Sequence, residues 1–504
     1  MIAKFRNIFF SKYGAKENAT IYLIASFTSF GISILTLPVF TRLLNPSDFG
    51  NTVLFVMIGK LILGFVNFNL HFASYRYYFN YTNNQVKFKS LNSTNLIFLV
   101  IVFIVVLIIG KFSSNFLSLK FSNKKFSENF VLLSIVSGFL DYFFLYFTTI
   151  LTAQLKSVKY ALLTICNILL NSLFSIFFII EFKLSFWGRI YGILISQLLV
   201  LIAAIYLCRK TLTWNININY LRKSLKLTSP MIPQMFLGIS QNYLDKSIIS
   251  YSKGASSLGY YSLGVNFSTI LKTIMDAVEK AWSPMFFKNA LENTEKSKSE
   301  IANSFMSLAF IYMTIGLAVI YFSEDAIKLL TTPQYYSAIY IVPIYVYFYL
   351  FAIFGYLSNA QLSVSENLKY ILPGALVGAI INITLNFLLI PKIGSIGAAI
   401  SSAITALITQ IILFYYGMKY FPIPIKISKV VTLYFVLLLF TSFFYLILYV
   451  KFNIFIKLLL KLTLIIFFVL YGFWSKILNT IYLDKIFKNK FINYFIRKFN
   501  IQIQ

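Results

Sequence analysis

The sequence contains few charged residues and almost no histidine or cysteine. Only 12% of its 504 residues are Asp, Glu, Lys or Arg; it has one histidine, His71, and two cysteines, Cys166 and Cys208. Soluble domains keep about 25% charged residues, so the composition excludes an ordinary soluble enzyme, a nuclear factor and a disordered scaffold. One histidine excludes a His-rich metal site. The two cysteines lie far apart in apolar runs and are expected to be packing residues, so no cofactor or metal is expected.

Long apolar runs take up most of the chain. Apolar residues make up 59% of the sequence, and the mean hydropathy is +0.78. A helix that crosses a bilayer needs about 20 consecutive, mostly apolar residues. Such stretches, numbered here as predicted spans 1 to 14, lie near 19–40, 50–72, 94–111, 129–152, 161–180, 187–208, 226–251, 259–287, 301–322, 337–358, 370–390, 393–416, 430–449 and 453–476. The sequence therefore predicts an all-α membrane protein, with no connection long enough for a soluble active site and hence no enzyme.

The charge is strongly unbalanced. The chain has 44 Lys and Arg against 15 Asp and Glu, a net charge of +29. In a soluble protein this excess would indicate nucleic acid as a partner, but cytoplasmic loops of membrane proteins also collect basic residues. The heaviest basic groups, in 209–226 and 485–498, place both termini in the cytoplasm and predict no nucleic-acid partner. The basic stretch 111–125 would then face outward, contrary to the tendency of basic residues to lie on the cytoplasmic side.

Two motifs recur about 210 residues apart, which predicts a duplicated unit. Asn45–Thr52 and Ala255–Ser262 each lead from one apolar run into the next, and Asn167–Asn171 matches Asn382–Asn386. Duplicated transporter halves commonly place their substrate site near the bilayer midplane. The predicted organisation is an N-lobe at 1–210, a C-lobe at 211–417, an appended helix pair at 418–476 and a basic cytoplasmic tail at 477–504. Chance similarity between Gly- and Asn-containing helices is the alternative explanation.

Three stretches also carry a family resemblance. They are Leu37–Gly50, with its Leu-Pro and Asn-Pro-Ser-Asp-Phe-Gly motifs, Ser229–Ser262, with Leu-Asp-Lys and Leu-Gly-Tyr-Tyr-Ser, and Pro391–Ala399. Together they resemble the polysaccharide transporters, the O-antigen and capsule flippases of the multidrug/oligosaccharidyl-lipid/polysaccharide exporter superfamily, over about residues 15–420. The sequence departs from that pattern at Lys246, where arginine is common, and in its last two spans.

The resemblance implies a fold and an activity. The fold is two pseudo-symmetric six-helix lobes around a central cavity that opens to one side of the membrane at a time. The substrate is undecaprenyl-diphosphate-linked oligosaccharide, moved between leaflets of the bacterial inner membrane, with polysaccharide polymerase and chain-length proteins as candidate partners. Two alternatives stay open. A cation-coupled multidrug exporter favours acidic rather than basic cavity residues, and a membrane polymerase or glycosyltransferase needs a large external loop.

Charges within the spans indicate where such a substrate would bind. In predicted span 8, Lys272, Asp276 and Glu279 follow at i, i+4 and i+7 and share one helical face, with Lys280 beside it. A lone charge at the bilayer centre costs about 3 kcal/mol or more, so this face is expected to meet water, a counter-ion or an anionic substrate. A Lys272–Asp276 pair that only fixes helix packing is the alternative.

Predicted span 2 carries a similar polar stripe. Lys60, Asn67 and His71 follow at i, i+7 and i+11, which places them on one face of a continuous helix and predicts a wet cavity lining. A packing or interfacial role is the alternative for His71. Arg76 follows the helix end, as a cavity base or a membrane anchor.

Predicted span 7 is expected to act as a gate. Gln241 and Asp245 lie one turn apart on it, and Lys246 points elsewhere. The alternative is an ion pair between Asp245 and either Lys246 or Arg42, which ends predicted span 1 and is otherwise a cavity base or an interfacial anchor.

Three further charges lie within predicted spans. Asp141, midway in predicted span 4, is a candidate proton or cation site or a hydrogen-bonded structural acid. Lys457 and Lys461, one turn apart in predicted span 14, are expected to extend to the membrane edge.

Overall fold

The computed structural model describes residues 15–81, 84–122, 128–229, 232–450 and 453–478, and every regular element in these ranges is helical. The predicted all-α fold is therefore confirmed. Numbered α1 to α14 in chain order, the α-helices are Ala15–Leu43, Pro46–Val66, Leu70–Asn80, Gln85–Ser122, Glu128–Ala153, Ser157–Ile180, Ser185–Cys208, Ile218–Thr228, Ile232–Glu292, Glu295–Leu330, Ile341–Val364, Ile371–Tyr420, Ile427–Tyr449 and Ile454–Trp474. Short 3₁₀ helices cover Arg209–Thr211, Pro333–Tyr340 and Leu368–Tyr370.

Two helices are too long for one crossing of a bilayer, and both are bent at glycine. α9 has 61 residues and α12 has 50, whereas a crossing needs about 20. Gly254 in α9 has φ +83°, and Gly394 in α12 has φ +62°, a left-handed backbone that glycine adopts without steric cost. Each long helix therefore consists of two segments, which match predicted spans 7 and 8 and predicted spans 11 and 12.

The chain is a multi-pass membrane protein by the length and apolar composition of its helices. In the described ranges, 11 helices are long and apolar enough to cross a membrane. Backbone N–H and C=O groups have no water to bond in a hydrocarbon layer, so they must be satisfied within each helix.

Predicted span 2 is not one continuous helix, so the prediction of a polar stripe along it was wrong. α2 ends at Val66, and Phe68 and Asn69 take left-handed φ values of 50° and 52° before α3 begins at Leu70. The Asn67 carbonyl, freed at the helix end, accepts a hydrogen bond from the Tyr142 hydroxyl at 3.0 Å. Asn67 and His71 therefore lie beyond the helix that carries Lys60, and the three do not share a face.

A short helix lies where the sequence analysis placed a loop. α8 is capped by Asn217, whose side-chain oxygen accepts a hydrogen bond from the Asn219 amide at 2.9 Å. Ser224 and Thr228 are buried on one side of it, and the exposed side carries Arg222 and Lys223. An 11-residue amphipathic helix with little apolar content gives no membrane-span signal, which explains why it was missed.

The described helices form two compact units. Unit 1 comprises Met1–Ser262, Leu330–Tyr335 and Asn386–Ser395, and unit 2 comprises Leu263–Leu329, Tyr336–Leu385 and Ile396–Gln504, in each case over their described residues. The core of unit 1 is centred on α5, whose buried residues include Val131, Ile135, Phe139 and Tyr146. The core of unit 2 includes buried Phe310 and Leu317 of α10 and Leu350 and Ile353 of α11.

Glycines from the two repeated motifs contact each other within unit 1. A Cβ on Gly259 would lie 3.0 Å from the carbonyl carbon of Pro46 and 3.3 Å from the amide nitrogen of Gly50. A Cβ on Gly50 would collide with the Ala255 carbonyl oxygen. The start of α2 and the segment of α9 after its bend therefore pack backbone against backbone.

Candidate functional site

Lys60 and Asp141 form an ion pair between two helices of unit 1. Lys60 lies on α2 and Asp141 on α5, and Lys60 Nζ is 3.4 Å from Asp141 Oδ2. The side chains are 42% and 38% exposed, so neither charge is sealed in the core. The sequence analysis had singled out both residues but had not paired them, because they are far apart in the chain.

Two glycines position this pair. A Cβ on Gly138 would lie 2.6 Å from the Gly59 carbonyl oxygen, and one on Gly59 would lie 3.2 Å from the Gly138 amide nitrogen. α2 and α5 therefore touch at the backbone directly beside Lys60. Asp141 lies almost one helical turn after Gly138, so the contact brings its carboxylate level with the lysine.

The pair opens onto a polar cavity of about 180 Å³. Its polar lining is Lys60, Ser137, Asp141, Asn167, Asn171 and Gln197. The Ser137 hydroxyl donates to Gln197 Oε1 at 2.9 Å, whereas Asn167 Oδ1 is buried and has no hydrogen-bond partner among the described residues. A cavity with one ammonium, several amides and one carboxylate can bind water, sugar hydroxyls or an anionic group that displaces the carboxylate. Asn167, Asn171 and Gln197 were missed as site residues, although i, i+4 asparagines in an apolar run could have indicated a polar face.

Lys272 and Asp276 form the corresponding pair in unit 2, within a single helix. The Lys272 ammonium donates to Asp276 Oδ2, and the side chains are 49% and 38% exposed. The Tyr356 hydroxyl of α11 donates to the other carboxylate oxygen at 2.5 Å. The counter-ion expected for Lys272 is thus Asp276, which is the alternative the sequence left open, and the tyrosine was not anticipated.

Glu279 lies one turn after Asp276, at the edge of an aromatic pocket. The pocket is lined by Glu279, Trp282, Phe305, Tyr312 and Tyr356, with Leu308 and Ile353. The Trp282 indole donates to Ser304 Oγ at 3.2 Å, which fixes the ring against α10. The side chain of Lys280, predicted beside this face, lies outside the described residues.

Asp245 is a buried acid in the first segment of α9. It is 2% exposed, and its carboxylate accepts hydrogen bonds from the Tyr261 hydroxyl at 2.5 Å and from the Lys246 amide at 2.7 Å. The Lys246 ammonium lies 5.2 Å from the centroid of the Tyr243 ring. The side chain of Gln241 lies outside the described residues. Tyr261 therefore tethers Asp245 across the bend at Gly254.

The remaining predicted bases lie on α1 and α3. Arg42 is exposed in the last turn of α1, and Arg76 is exposed on α3. His71 is partly buried on α3, with Nδ1 3.3 Å from the Tyr142 hydroxyl. Burial lowers the pKa of His71 to about 4, so the ring is neutral at pH 7. His71 and Asn67 thus both contact Tyr142, and other residues line the cavity at Lys60.

One buried base was not predicted as a site residue. The guanidinium carbon of Arg189, on α7, lies 3.9 Å from the ring centroid of Phe40 and 5.3 Å from that of Phe49. Cation–π contacts of this kind stabilise a desolvated arginine by about 2 kcal/mol. Arg189 therefore packs α7 against the end of α1 and the start of α2.

The structure corrects the prediction that Lys461 of α14 extends to the membrane edge. The Lys461 side chain is 0% exposed, and its Nζ lies 2.6 Å from Asp325 Oδ2 and 3.6 Å from Glu324 Oε2. Lys457 Nζ lies 3.5 Å from Glu324 Oε1. The prediction was wrong for Lys461 because two carboxylates of α10, distant in sequence, lie within its reach.

The sequence matches one protein family. The family described as polysaccharide biosynthesis protein covers residues 39–340, which is more than half of the chain. No curated protein matches the sequence.

Solved structures place the fold in one superfamily. A lipid II flippase MurJ in an inward closed conformation aligns with a TM-score of 0.70 at 16% identity, over 91% of this chain and 100% of the other. An inward-facing multidrug resistance MATE transporter of the MOP superfamily aligns with a TM-score of 0.59 at 14% identity, over 80% and 97% of the two chains. A MOP superfamily transporter from Pyrococcus furiosus gives 0.54 at 15% identity, over 80% and 95%. This chain therefore belongs to the polysaccharide biosynthesis protein family and has the fold of the MOP superfamily.

Proposed function

We propose that this protein is a flippase that moves undecaprenyl-diphosphate-linked oligosaccharide, an O-antigen or capsule repeat unit, from the inner to the outer leaflet of the bacterial inner membrane by alternating access. Both termini lie in the cytoplasm. One observation carries the proposal: each unit holds a half-exposed lysine on a long helix, and each lysine is paired with an aspartate. The family and the fold likeness to a lipid II flippase support it.

The pairing explains how a lysine can remain in the membrane while no substrate is bound. An unpaired ammonium in hydrocarbon is costly, whereas a lysine–aspartate pair is neutral. A half-exposed ion pair contributes only about 0.2–1 kcal/mol to stability. An anion with more charge than a carboxylate can therefore displace the aspartate from the lysine. A diphosphate carries about two negative charges and forms strong charge-assisted hydrogen bonds. Lys60 and Lys272 therefore exchange aspartate for diphosphate on binding and return to aspartate on release.

The other predicted residues have supporting roles in this proposal. Arg42, Lys246, Arg76 and Lys280 add positive potential along the route of the headgroup, while Gln241, Asp245 and Glu279 contribute to gating. An inside-negative membrane potential favours outward movement of the anion by about 2.3 kcal/mol per charge per 100 mV.

The test is replacement of each paired lysine. Lys60→Ala and Lys272→Ala should each abolish export of surface polysaccharide, at normal protein level, and leave completed lipid-linked units in the cytoplasmic leaflet. Matched controls are Lys210→Ala in unit 1 and Lys288→Ala in unit 2, both at exposed lysines outside the pairs. Normal export in both pair variants would disprove the proposal, and single units already exported would indicate a polymerase defect instead.

A second candidate function is cation-coupled multidrug export. It is favoured by the carboxylates of Asp141 and Asp276, which are each 38% exposed, and by the MATE-like fold. In an exporter, Asp141→Asn would abolish efflux of a cationic dye from cells, whereas Lys60→Ala would leave efflux intact. In a flippase, neither variant changes dye efflux.

A further inference from the structure

A separate group of charges lies where the end of α10 meets the start of α14. It comprises Glu324, Asp325, Lys328, Lys457 and Lys461, named here the C-terminal charge cluster. Lys328 Nζ is 2.6 Å and Lys457 Nζ 3.5 Å from the same oxygen, Glu324 Oε1. Lys461 Nζ is 2.6 Å from Asp325. All five residues belong to unit 2.

The cluster has more ammonium groups than carboxylates. Lys461 is fully buried and is neutralised by Asp325, while Glu324, 4% exposed, is shared by Lys328 and Lys457. Three lysines against two acids leave one positive charge. Lys328 is 47% exposed, so this excess faces outward from the helices rather than into the core. A surplus charge at this position in a membrane protein requires water or an anion.

A cavity of about 440 Å³ adjoins the exposed side of the cluster. Two ammonium groups and one carboxylate lie in its polar wall, which is formed by Glu324, Lys328, Lys457, Tyr336 and Ser337. Leu448 and Val450, at the end of α13, give it an apolar wall. A cavity of this volume is within the range that holds small ligands. One cationic wall and one apolar wall suit an amphiphile with an anionic head.

The cavity lies close to the ends of two helices. Glu324 lies six residues before the end of α10, and Lys457 three residues after the start of α14. At 1.5 Å per residue these positions are about 9 Å and about 5 Å inside the helix ends. The polar layer on each side of a bilayer is about 5–8 Å thick, so a site this close to the helix ends suits a lipid phosphate.

We propose that this cavity binds the phosphate group of a membrane lipid. Lys328 and Lys457 donate charge-assisted hydrogen bonds to the phosphate oxygens, which neutralise the surplus charge, and Leu448 and Val450 contact the start of the acyl chain. Lys461 and Asp325 do not line the cavity and remain paired with each other. The proposal is independent of the flippase activity, because neither Lys60 nor Lys272 belongs to the cluster.

Lipid binding to the purified full-length protein tests it. Native mass spectrometry compares adducts of dioleoyl phosphatidic acid with adducts of dioleoylglycerol, which has the same chains and no phosphate. We expect clear preference for the phosphate lipid. Lys328→Gln and Lys457→Gln together should weaken its binding about thirtyfold, or about fivefold for each lysine. The control pair Lys288→Gln and Lys419→Gln removes the same charge elsewhere in unit 2 and should leave binding unchanged.

Other outcomes are equally informative. Equal binding of the two lipids, or equal binding by the cluster variant and wild type, would overturn the proposal. Binding of millimolar inorganic phosphate together with equal binding of the two lipids would assign the site to a soluble anion and overturn the lipid assignment. Lys457→Arg retains the charge and should retain binding, so loss in Lys457→Gln with retention in Lys457→Arg excludes a folding defect as the cause.

Discussion

The two lysine–aspartate pairs are built differently, although each unit has one. Lys60 and Asp141 join two helices, α2 and α5, through a 3.4 Å contact, whereas Lys272 and Asp276 lie one turn apart on α9. The first pair exists only while α2 and α5 remain packed. The second persists however α9 moves against its neighbours, and the Tyr356 hydroxyl connects it to α11 by a hydrogen bond.

The difference separates two ways of holding a base in a membrane. In unit 1 helix packing controls the charge of the cavity, so a helix movement would release Lys60. In unit 2 the charge is set by local helix geometry, so substrate must itself displace the carboxylate. We infer that the unit 1 pair responds to conformation and the unit 2 pair responds to ligand.

Overpacking the α2–α5 contact should have the largest effect on this comparison. Gly138→Val puts a branched side chain against the Gly59 backbone, so we expect a loss of about 3 kcal/mol in stability and loss of export. Thermal unfolding in detergent measures the stability. Gly31→Ala, where a Cβ meets nothing within 4 Å, is the control and should be neutral or slightly stabilising. An unchanged melting temperature for Gly138→Val would show that the glycine contact does not hold the pair.

Tyr356→Phe breaks the only described hydrogen bond between the unit 2 pair and α11. A hydrogen bond to a charged group contributes about 1.5 kcal/mol, and the phenyl ring fills the same space. We expect lower stability together with tighter binding of diphosphate lipid, because Lys272 is then held by a less fixed aspartate. The exposed Tyr415→Phe serves as control. Lower stability without a change in affinity would assign Tyr356 to packing alone.

Removing each carboxylate separates the two pairs directly. Asp141→Asn should lower stability by about 1 kcal/mol, because it removes an inter-helix contact, while Asp276→Asn should change stability much less. Both variants should bind diphosphate lipid more tightly and export more slowly, as the competing anion is gone. The measurements are melting temperature and lipid affinity. Equal losses of stability in the two variants would contradict the distinction between an inter-helix pair in unit 1 and a local pair in unit 2.

His71 should make unit 1 weakly sensitive to acid. Its pKa is lowered by burial from 6.5 to about 4, so the unfolded chain binds a proton first and stability falls as the pH drops from about 6.5 towards 4. Between pH 7.5 and 6.0 we expect a loss of ~0.8 kcal/mol that His71→Gln abolishes. Because His71 contacts Tyr142, the neighbour of Asp141, acid should affect the unit 1 pair and leave Lys272 unaffected. The same dependence of stability on pH in wild type and in His71→Gln would rule out His71 as the cause.

Features encoded within one helix were predictable from the sequence. The apolar runs predicted the 11 described helices that are long and apolar enough to cross a membrane. The bend at Gly254 falls in the short gap between predicted spans 7 and 8, and the bend at Gly394 lies at the start of predicted span 12. The i, i+4 spacing of Lys272 and Asp276 gave their pair. Local periodicity is sufficient in these cases because both partners lie within a few residues.

Features that depend on contacts between helices were not predictable. The Lys60–Asp141 pair depends on two glycines meeting across helices, and Lys461 is buried because acids of α10 approach it. The break after α2 has neither glycine nor proline to mark it. Asn69, a residue type that tolerates left-handed φ, was the one local signal.

The contact between Gly50 and Gly259 has a consequence for how this chain can change over time. Since glycine is already the smallest residue, no replacement at one position can make space for a larger residue at the other. A substitution at one position therefore cannot be compensated by a substitution at the other, as it can at ordinary core positions. A single methyl group at either position would push the two segments apart. Alanine at this contact therefore offers a direct means of trapping the protein with the start of α2 separated from the α9 segment.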